Sequence, residues 1–439
     1  MKITSSYKVE ITGNIGILKP TVKIYREALS YLIEVYNSEW DKLSKVERKL
    51  ERATKAERLV HSTKLNEAKY DFDKKFYKMP SYLRRAAINT ALGVVSSYRS
   101  NLSNWENAPE PKGKPPKLQV KHIVMPTFYN KQMFRSSASE NECFIKLYLN
   151  NDWKWFPIKL KPTDVKYIKK YWSHVTPSAP TLVKTHKKYF LCFAFEENVS
   201  LSQHEIKERL VCSVDLGVNT DAVCSIINSK GTVLARKFIN FPSEKDHLMH
   251  VLNRIKKHQR KNSSKGIKPL WEYAQRLNDE LAKKVSLSIV DFAAQHSADV
   301  IVFEYLDFSG KKAKGSKKQK LHMWKKNSIQ DYVTHKAHRC GIRVSRIRAW
   351  GTSKLAYDGS GEVIRDKDNY SIAKFANGKI YNCDLSASYN IGARYFIREL
   401  LKPFPEKEKS LLRAKVSEVE RRTSCTLNTL IKLNEYLAA

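Results

Sequence analysis

The sequence predicts a multidomain protein in which a helical module and a β module precede an α/β domain. Three observations lead there. The chain has 439 residues, more than one ordinary core accommodates. Its hydrophobic periodicity changes twice, from helical spacing to strict alternation and then to a strand–helix succession. A stretch with four prolines, APEPKGKPPK from Ala108 to Lys117, separates the first two regimes.

SYKVEI near the start alternates like a half-buried strand. Beyond Pro20, the positions Tyr25, Leu29, Leu32, Ile33 and Tyr36 recur at helical spacing, with Thr21 available as an N-cap. Ser44 and Glu47 have capping-box spacing and open a second, heavily charged helical stretch through Asn66. A third helix begins near Ser81, behind Pro80, with Leu83, Ala87, Ala91, Val95, Tyr98 and Leu102 on one stripe. After the proline stretch, FIKLYLNNDWKWFPIKL reads as two strands around an Asn-Asn-Asp turn, and TLVKTHKKYFLCFAFEE as another pair. From Leu210 the order is strand, strand and long helix, with Leu248 to about Ser297 helix-rich and broken at Ser263-Ser264-Lys265-Gly266. A strand ending at Glu304, a basic loop, a helix and the strand IRVSRI follow, which suggests a mixed sheet with helices packed on it.

Lys plus Arg number 80 against 44 Asp plus Glu, a formal net charge of +36. Such an excess repels itself unless a polyanion neutralises it, so nucleic acid is the expected partner and an anionic membrane the weaker competitor. GKKAKGSKKQK, Gly310 to Lys320, is a low-complexity basic loop, either a solvated loop or a lid over a phosphate-handling site. The basic positions offered to a phosphate backbone are Lys311, Lys312, Lys314, Lys317, Lys318 and Lys320 in that loop. Arg254, Lys256, Lys257, Arg260 and Lys261 in the preceding helical stretch join them. Trp105, Trp153, Trp155 and Trp271 suit core packing better than base stacking, and His335-x-x-His338 suits a surface or core helix face better than a metal. No run reaches the ~18 apolar residues of a transmembrane helix. MKITSSYKVEIT alternates where a signal peptide has an apolar block. The seven cysteines form no CxxC pair and are expected as reduced thiols of a cytosolic protein.

Three carboxylates stand out. In VCSVDLGVNTDAVCSI, Val211, Ser213 and Asp215 share one strand face and Cys212 and Val214 the other. Asp215 ends the apolar run ahead of Gly217; it either faces a ligand or caps a turn. Glu304 in IVFEYL ends a buried strand, where a carboxylate costs several kcal/mol unless a metal or a lysine pairs it. Asp384 in YNCDLSASYNIGARY is either an N-cap or a third ligand. Carboxylates gathered from separate elements suit Mg2+ and two-metal phosphodiester hydrolysis.

Asp215 in VDLGVNT, Glu304 in IVFEYL and Asp384 in CDLSASYNI resemble the three acidic motifs of the RuvC nuclease domain. They are most similar to those of TnpB proteins and the type V CRISPR effector nucleases related to them. The resemblance implies an α/β ribonuclease H-like (RuvC) nuclease domain over 206–400, with a helical insertion at 248–297 and a cysteine-poor insert at about 350–383. It also implies a β-barrel wedge domain split between 1–19 and 118–205, a helical recognition lobe over 20–107, a linker at 108–117 and a helical tail at 401–439. Asp215, Glu304 and Asp384 would be both catalytic and Mg2+-ligating, with two ions for which Mn2+ can substitute. The implied partners are a guide RNA, from a transposon end or a CRISPR array, and a double-stranded DNA target chosen by pairing with it. The resemblance implies a prokaryotic cytoplasmic location and no membrane; the oligomeric state stays open.

Two departures accompany the resemblance. The third motif, usually Asp-x-Asn-Ala-Ala, reads Asp384-Leu385-Ser386-Ala387-Ser388. The four-cysteine zinc ribbon common before that acid is absent: the segment holds only Cys383, and Ala356 and Gly359 stand where a first pair is expected. A zinc ribbon needs four N or S ligands, so no structural zinc is expected. Packing or nucleic acid must hold this segment, through its glycines and Tyr357, Tyr370 and Tyr381. Competing readings are a guided DNA-binding repressor without cleavage, which would be expected to lose an acid, and a transposon-associated DNA strand transferase. A generic RNA-binding protein would leave Glu304 unexplained.

Overall fold

The computed structural model describes residues 1–111, 113–121, 124–261, 266–305, 325–348, 350–366, 368–421 and 423–438. It divides into two compact units, residues 2–197 and residues 198–439, the latter together with Met1.

In the first unit, six strands form one sheet: β1 (Lys2–Thr12), β2 (Phe134–Ser136), β3 (Glu142–Leu149), β4 (Asp152–Leu160), β5 (Thr181–Thr185) and β6 (Lys188–Asn198), in the order β2-β3-β4-β1-β6-β5. The β3–β4 hairpin closes on two residues, since Leu149 pairs with Asp152. Asn150 and Asn151 take the left-handed conformations, φ 48° and 58°, that such a turn requires and that asparagine tolerates. Three long helices accompany the sheet: α1 (Leu18–Ser38), α2 (Lys49–Val60) and α3 (Ser81–Glu106). α1 packs on α3 and β3 through Tyr25, Leu29, Leu32, Ile33 and Tyr36, the stripe expected from spacing.

Two expected caps are not used. α1 begins at Leu18 after a 3-10 turn, so Thr21 lies inside it, buried, and its hydroxyl accepts from the Tyr148 N–H at 2.8 Å. α2 begins at Lys49 behind an extended Arg48, past the Ser44–Glu47 box. A fourth helix, α4 (Pro162–Trp172), joins β4 to β5 in what alternation alone presented as all-strand.

The second unit is built on a five-stranded sheet: β7 (Leu210–Asp215), β8 (Ala222–Asn228), β9 (Val233–Ile239), β10 (Val300–Tyr305) and β11 (Arg343–Arg348), ordered β11-β10-β7-β8-β9. β10 runs parallel to β7 and β11, whereas β7, β8 and β9 are antiparallel. Helices α5 (Pro242–Arg260) and α6 (Ile267–Gln295) connect β9 to β10, and α7 (Lys326–Arg339) precedes β11. Both faces of β7 and β10 are covered, hence their unbroken apolar runs. Cys212, Val214, Ile301 and Phe303 meet α6 and α7 on one face. Val211, Val300 and Val302 meet α8 (Cys383–Leu401) on the other. The sequence break expected at 263–266 falls mostly on residues outside those described.

A small sheet precedes α8: β12 (Ile364–Arg365), β13 (Ile372–Lys374) and β14 (Ile380–Asn382). It lies within the cysteine-poor insert. Tyr357, Phe375, Tyr381 and Tyr389 form an aromatic cluster there, with ring centroids 5.1–6.4 Å apart. Lys379 covers the Tyr357 and Tyr381 rings. Tyr370 is exposed and takes no part in the described cluster. After α8, helices α9 (Glu406–Lys415) and α10 (Leu427–Ala438) supply Leu412, Leu427, Leu430 and Leu433 to the core beneath it. No helix among the described residues is long and apolar enough to cross a membrane.

Candidate active site

Sheet geometry brings two of the three acids together. The parallel register pairs Val302 with Ser213 and Phe303 with Val214, so one step further sets Glu304 beside the end of β7 at Asp215. Side chains alternate along each strand, which gives Asp215 and Glu304 the face already occupied by Val211 and Val302, the α8 face. Asp384 arrives from α8 itself. The N-cap of that helix is Asn382, whose Oδ1 accepts from the Leu385 N–H at 2.9 Å. Asp384 therefore sits in the first turn without the capping duty its position offered.

The charges of Glu304 and Asp384 both act on Asp215. Burial pushes Asp215 well above the usual carboxylate range, and the charges of Glu304 and Asp384 push it further. Burial also raises Asp384, and the Arg365 guanidinium pulls both it and Asp215 back. Glu304 is buried; burial raises it, while the Thr352 hydroxyl and Arg394 oppose the rise. Thr352 donates to Glu304 Oε1, and the Gln330 amide donates to the Glu304 carbonyl at 3.1 Å. Among the described residues the side-chain partner of the Glu304 carboxyl is a threonine 48 residues away; the lysines of the loop following Glu304 lie outside them.

α8 organises the segment that carries Thr352. Asn390 donates to the carbonyls of Thr352 and Leu355 at 3.0 and 2.9 Å, and accepts from the Leu427 N–H at 3.1 Å. Arg394, 6% exposed, spends its guanidinium on the carbonyls of Arg348, Trp350, Thr423 and Cys425. The departing residues of the third motif also have structural roles. Ser386 accepts from the Tyr357 N–H at 3.2 Å, and Ser388 meets the Ser225 hydroxyl at 2.5 Å.

The carboxylates offer only oxygen, which suits a hard divalent cation. The described cation acting on Asp215 and Asp384 is Arg365, itself exposed. Among the described residues, no three His, Cys, Asp or Glu side chains are drawn tightly enough to hold a metal as they stand.

The other expected positions are scattered. Lys311, Lys312, Lys314, Lys317, Lys318 and Lys320 lie outside the described residues. On α5, Arg254, Lys257 and Arg260 are exposed and Lys256 is half-buried, opposite Leu248, Val251, Leu252 and Ile255; Lys261 follows, exposed. His335 is exposed and His338 half-buried. Trp153 is buried, whereas Trp105, Trp155 and Trp271 are half-buried. Sequence reasoning missed Arg365 and Thr352, whose positions in an irregular insert have no periodic signature. The helical module's Lys and Arg are open in sequence to lining a nucleic-acid groove or to solvated faces; a groove in the first unit is lined by Lys19, Lys23, Arg26, Lys75, Lys121 and Lys184.

A family model described as the Aq_aa04 family matches residues 4–149. No curated protein matches the sequence. Among solved structures, the mini-RNA-guided endonuclease CRISPR-Cas_phi3 aligns with a TM-score of 0.52 at 10% identity, over 89% of this chain and 92% of that one. CasPhi-2 (Cas12j) bound to crRNA aligns at 0.46 and 11% identity, over 89% and 97%. A Cas12f1–sgRNA–target DNA complex aligns at 0.49 and 16% identity, over 85% and 81%. At such identities the likeness is one of fold, and the chain shares its fold with the first of these, an RNA-guided endonuclease.

Proposed function

We propose that the protein is an RNA-guided DNA endonuclease with a ribonuclease H-like catalytic domain. The observation that carries this reading is the convergence on Asp215 of Glu304, from the neighbouring parallel strand, and Asp384, from the first turn of α8. These acids, 89 and 80 residues apart in sequence (304 − 215 and 384 − 304), come from three elements on one sheet face. The strand order, an antiparallel β7–β8–β9 meander continued by β10 and β11 running parallel to β7, agrees with that domain type, as does the fold shared with CRISPR-Cas_phi3. A net charge of +36 suits a chain that holds guide RNA and target DNA together.

Asp215, Glu304 and Asp384 would hold Mg2+. When bound, a pair of such ions supplies Lewis-acid activation of water and stabilises the leaving oxygen of a phosphodiester. The chain's own residues do the rest. Thr352 fixes the orientation of Glu304, and Arg365 presents a guanidinium beside Asp215 and Asp384 where a phosphate oxygen can be met. The α8 N-terminus sets Asp384 over the ends of β7 and β10.

The test begins with the RNA that co-purifies with the protein. Once sequenced, it defines matching DNA targets, offered with randomised flanks and Mg2+. Cleavage that disappears on Asp215→Ala or on chelation, with RNA and DNA binding retained, supports the proposal. Binding without scission by the wild-type protein would make it a guided repressor, and joined rather than cut ends would make it a strand transferase.

A further inference from the structure

The carboxylate row continues across the sheet to an exposed aromatic ring. Asp215 pairs with Val223, and Val223 pairs with Phe238. Residues directly opposed in antiparallel strands share a face, so Phe238 lies on the Asp215 face, two strands away on edge strand β9. At the usual interstrand spacing its backbone is ~10 Å from that of Asp215. α8 covers the inner part of this face: Gly392 packs against Ile227 and Ser213, and Ser388 meets Ser225. The edge is left open, and Phe238 is 49% exposed. Its neighbour Ile239 is buried, so the exposure belongs to this side chain rather than to a frayed strand end. Arg236, two residues back on the same face, is engaged by the Tyr389 phenol and is itself exposed.

We infer that Phe238 is a stacking platform for an unpaired nucleobase of the strand being cut, and so a positioning residue for the scissile phosphodiester. The inference rests on the nuclease reading above. A flat apolar ring beside an exposed guanidinium matches a nucleotide, whose base has an apolar face and whose phosphate is an anion. Only an unpaired base offers that face to a side chain from the edge of a sheet. The span of ~10 Å corresponds to one or two nucleotides of extended single strand, so a base held on Phe238 fixes which phosphate reaches Asp215.

Three substitutions in the guide-loaded, full-length protein test this. Phe238→Ala is expected to slow single-turnover cleavage about tenfold or more and to spread the cut over neighbouring phosphates, with guide and target binding unchanged. Phe238→Trp restores rate and cut position; Phe238→Leu, which keeps apolar bulk without a π-face, does not. In an Asp215→Ala background, 2-aminopurine placed one or two nucleotides from the mapped cut should be quenched on binding, and Phe238→Ala should abolish the quenching. Unchanged cleavage by Phe238→Ala, or rescue by Leu equal to that by Trp, overturns the stacking role and leaves the nuclease reading standing. A wild-type protein that cuts nothing removes both.

Discussion

Thr352 donates its hydroxyl hydrogen to Glu304, and the same residue's carbonyl accepts from Asn390 on α8. One loop residue thus ties the buried acid of β10 to the helix that carries Asp384. Thr352→Val deprives a buried carboxylate of its hydrogen bond, a change that costs ~1–3 kcal/mol. A lower melting temperature and at least about a tenfold loss of DNA cleavage are expected. Thr352→Ser should recover most of both, because the hydroxyl and not the methyl group is what Glu304 uses. Equal cleavage by the Val variant would mean that Glu304 needs no orientation.

Among the described residues, Arg365 is the cation that opposes the upward push on both Asp215 and Asp384. Its guanidinium also donates to the Ser353 carbonyl at 3.3 Å. Arg365→Gln keeps a donor and removes the charge. The variant should fold and bind RNA as wild type, yet cleave DNA more slowly by a factor of about 100, the usual scale for losing one charge-stabilising group at a reacting phosphate. Single-turnover assays at saturating Mg2+ read this directly. Wild-type rates would assign Arg365 to the insert's architecture alone.

Gly392 lies where α8 crosses β7 and β8. A Cβ there would meet Ile227 Cδ1 at 2.7 Å and Ser213 Oγ at 3.1 Å. Although alanine favours helix by ~1 kcal/mol, overpacking of this kind typically costs ~1–3 kcal/mol. Gly392→Ala should therefore lower the melting temperature, and paired replacement with Ile227→Val should recover part of the loss. A melting temperature at or above wild type would show that the sheet yields at no cost.

Glu39 makes the first unit acid-sensitive. It is buried, and hydrogen bonds from Lys69, then Tyr70, then Lys42 hold its carboxyl down at about 2. The Tyr70 hydroxyl donates to it at 2.8 Å. In the unfolded chain a glutamate titrates near ~4.3. The folded value is the lower one, so the stabilisation is fully present above ~4.3 and is lost as pH falls towards 2. Between pH 5 and pH 3, thermal unfolding should fall more steeply in wild type than in Glu39→Gln, which carries no titrating carboxyl. Parallel curves for the two proteins would refute the assignment.

Periodic features were legible in the sequence. Strand alternation already grouped Val211, Ser213 and Asp215, and the α3 stripe announced the buried face of Leu83, Ala87, Ala91 and Val95. Helix starts were less so. Thr21 and the Ser44–Glu47 box have capping chemistry, but α1 gains a turn by packing Leu18, and Thr21 is claimed by a strand 127 residues away. The contacts around the acids were hidden for the same reason. Thr352 and Arg365 act from the insert, and Asn390 and Arg394 from α8, all across long separations, and neither composition nor spacing encodes such pairings. The serines of the third motif read as a departure, yet each occupies a specific hydrogen bond to Tyr357 or Ser225.

The guanidinium of Arg394 finds a receiving carbonyl at Thr423, 29 residues further along the chain, and Asn390 accepts from Leu427. During synthesis, then, all three acidic motifs are translated before the C-terminal half of the clamp that seats their helix. A nascent chain paused between Arg394 and Thr423 holds Asp215, Glu304 and Asp384 and lacks the Thr423, Cys425 and Leu427 partners of α8. Synthesis of residues 423–427 is in that sense the step that fastens α8.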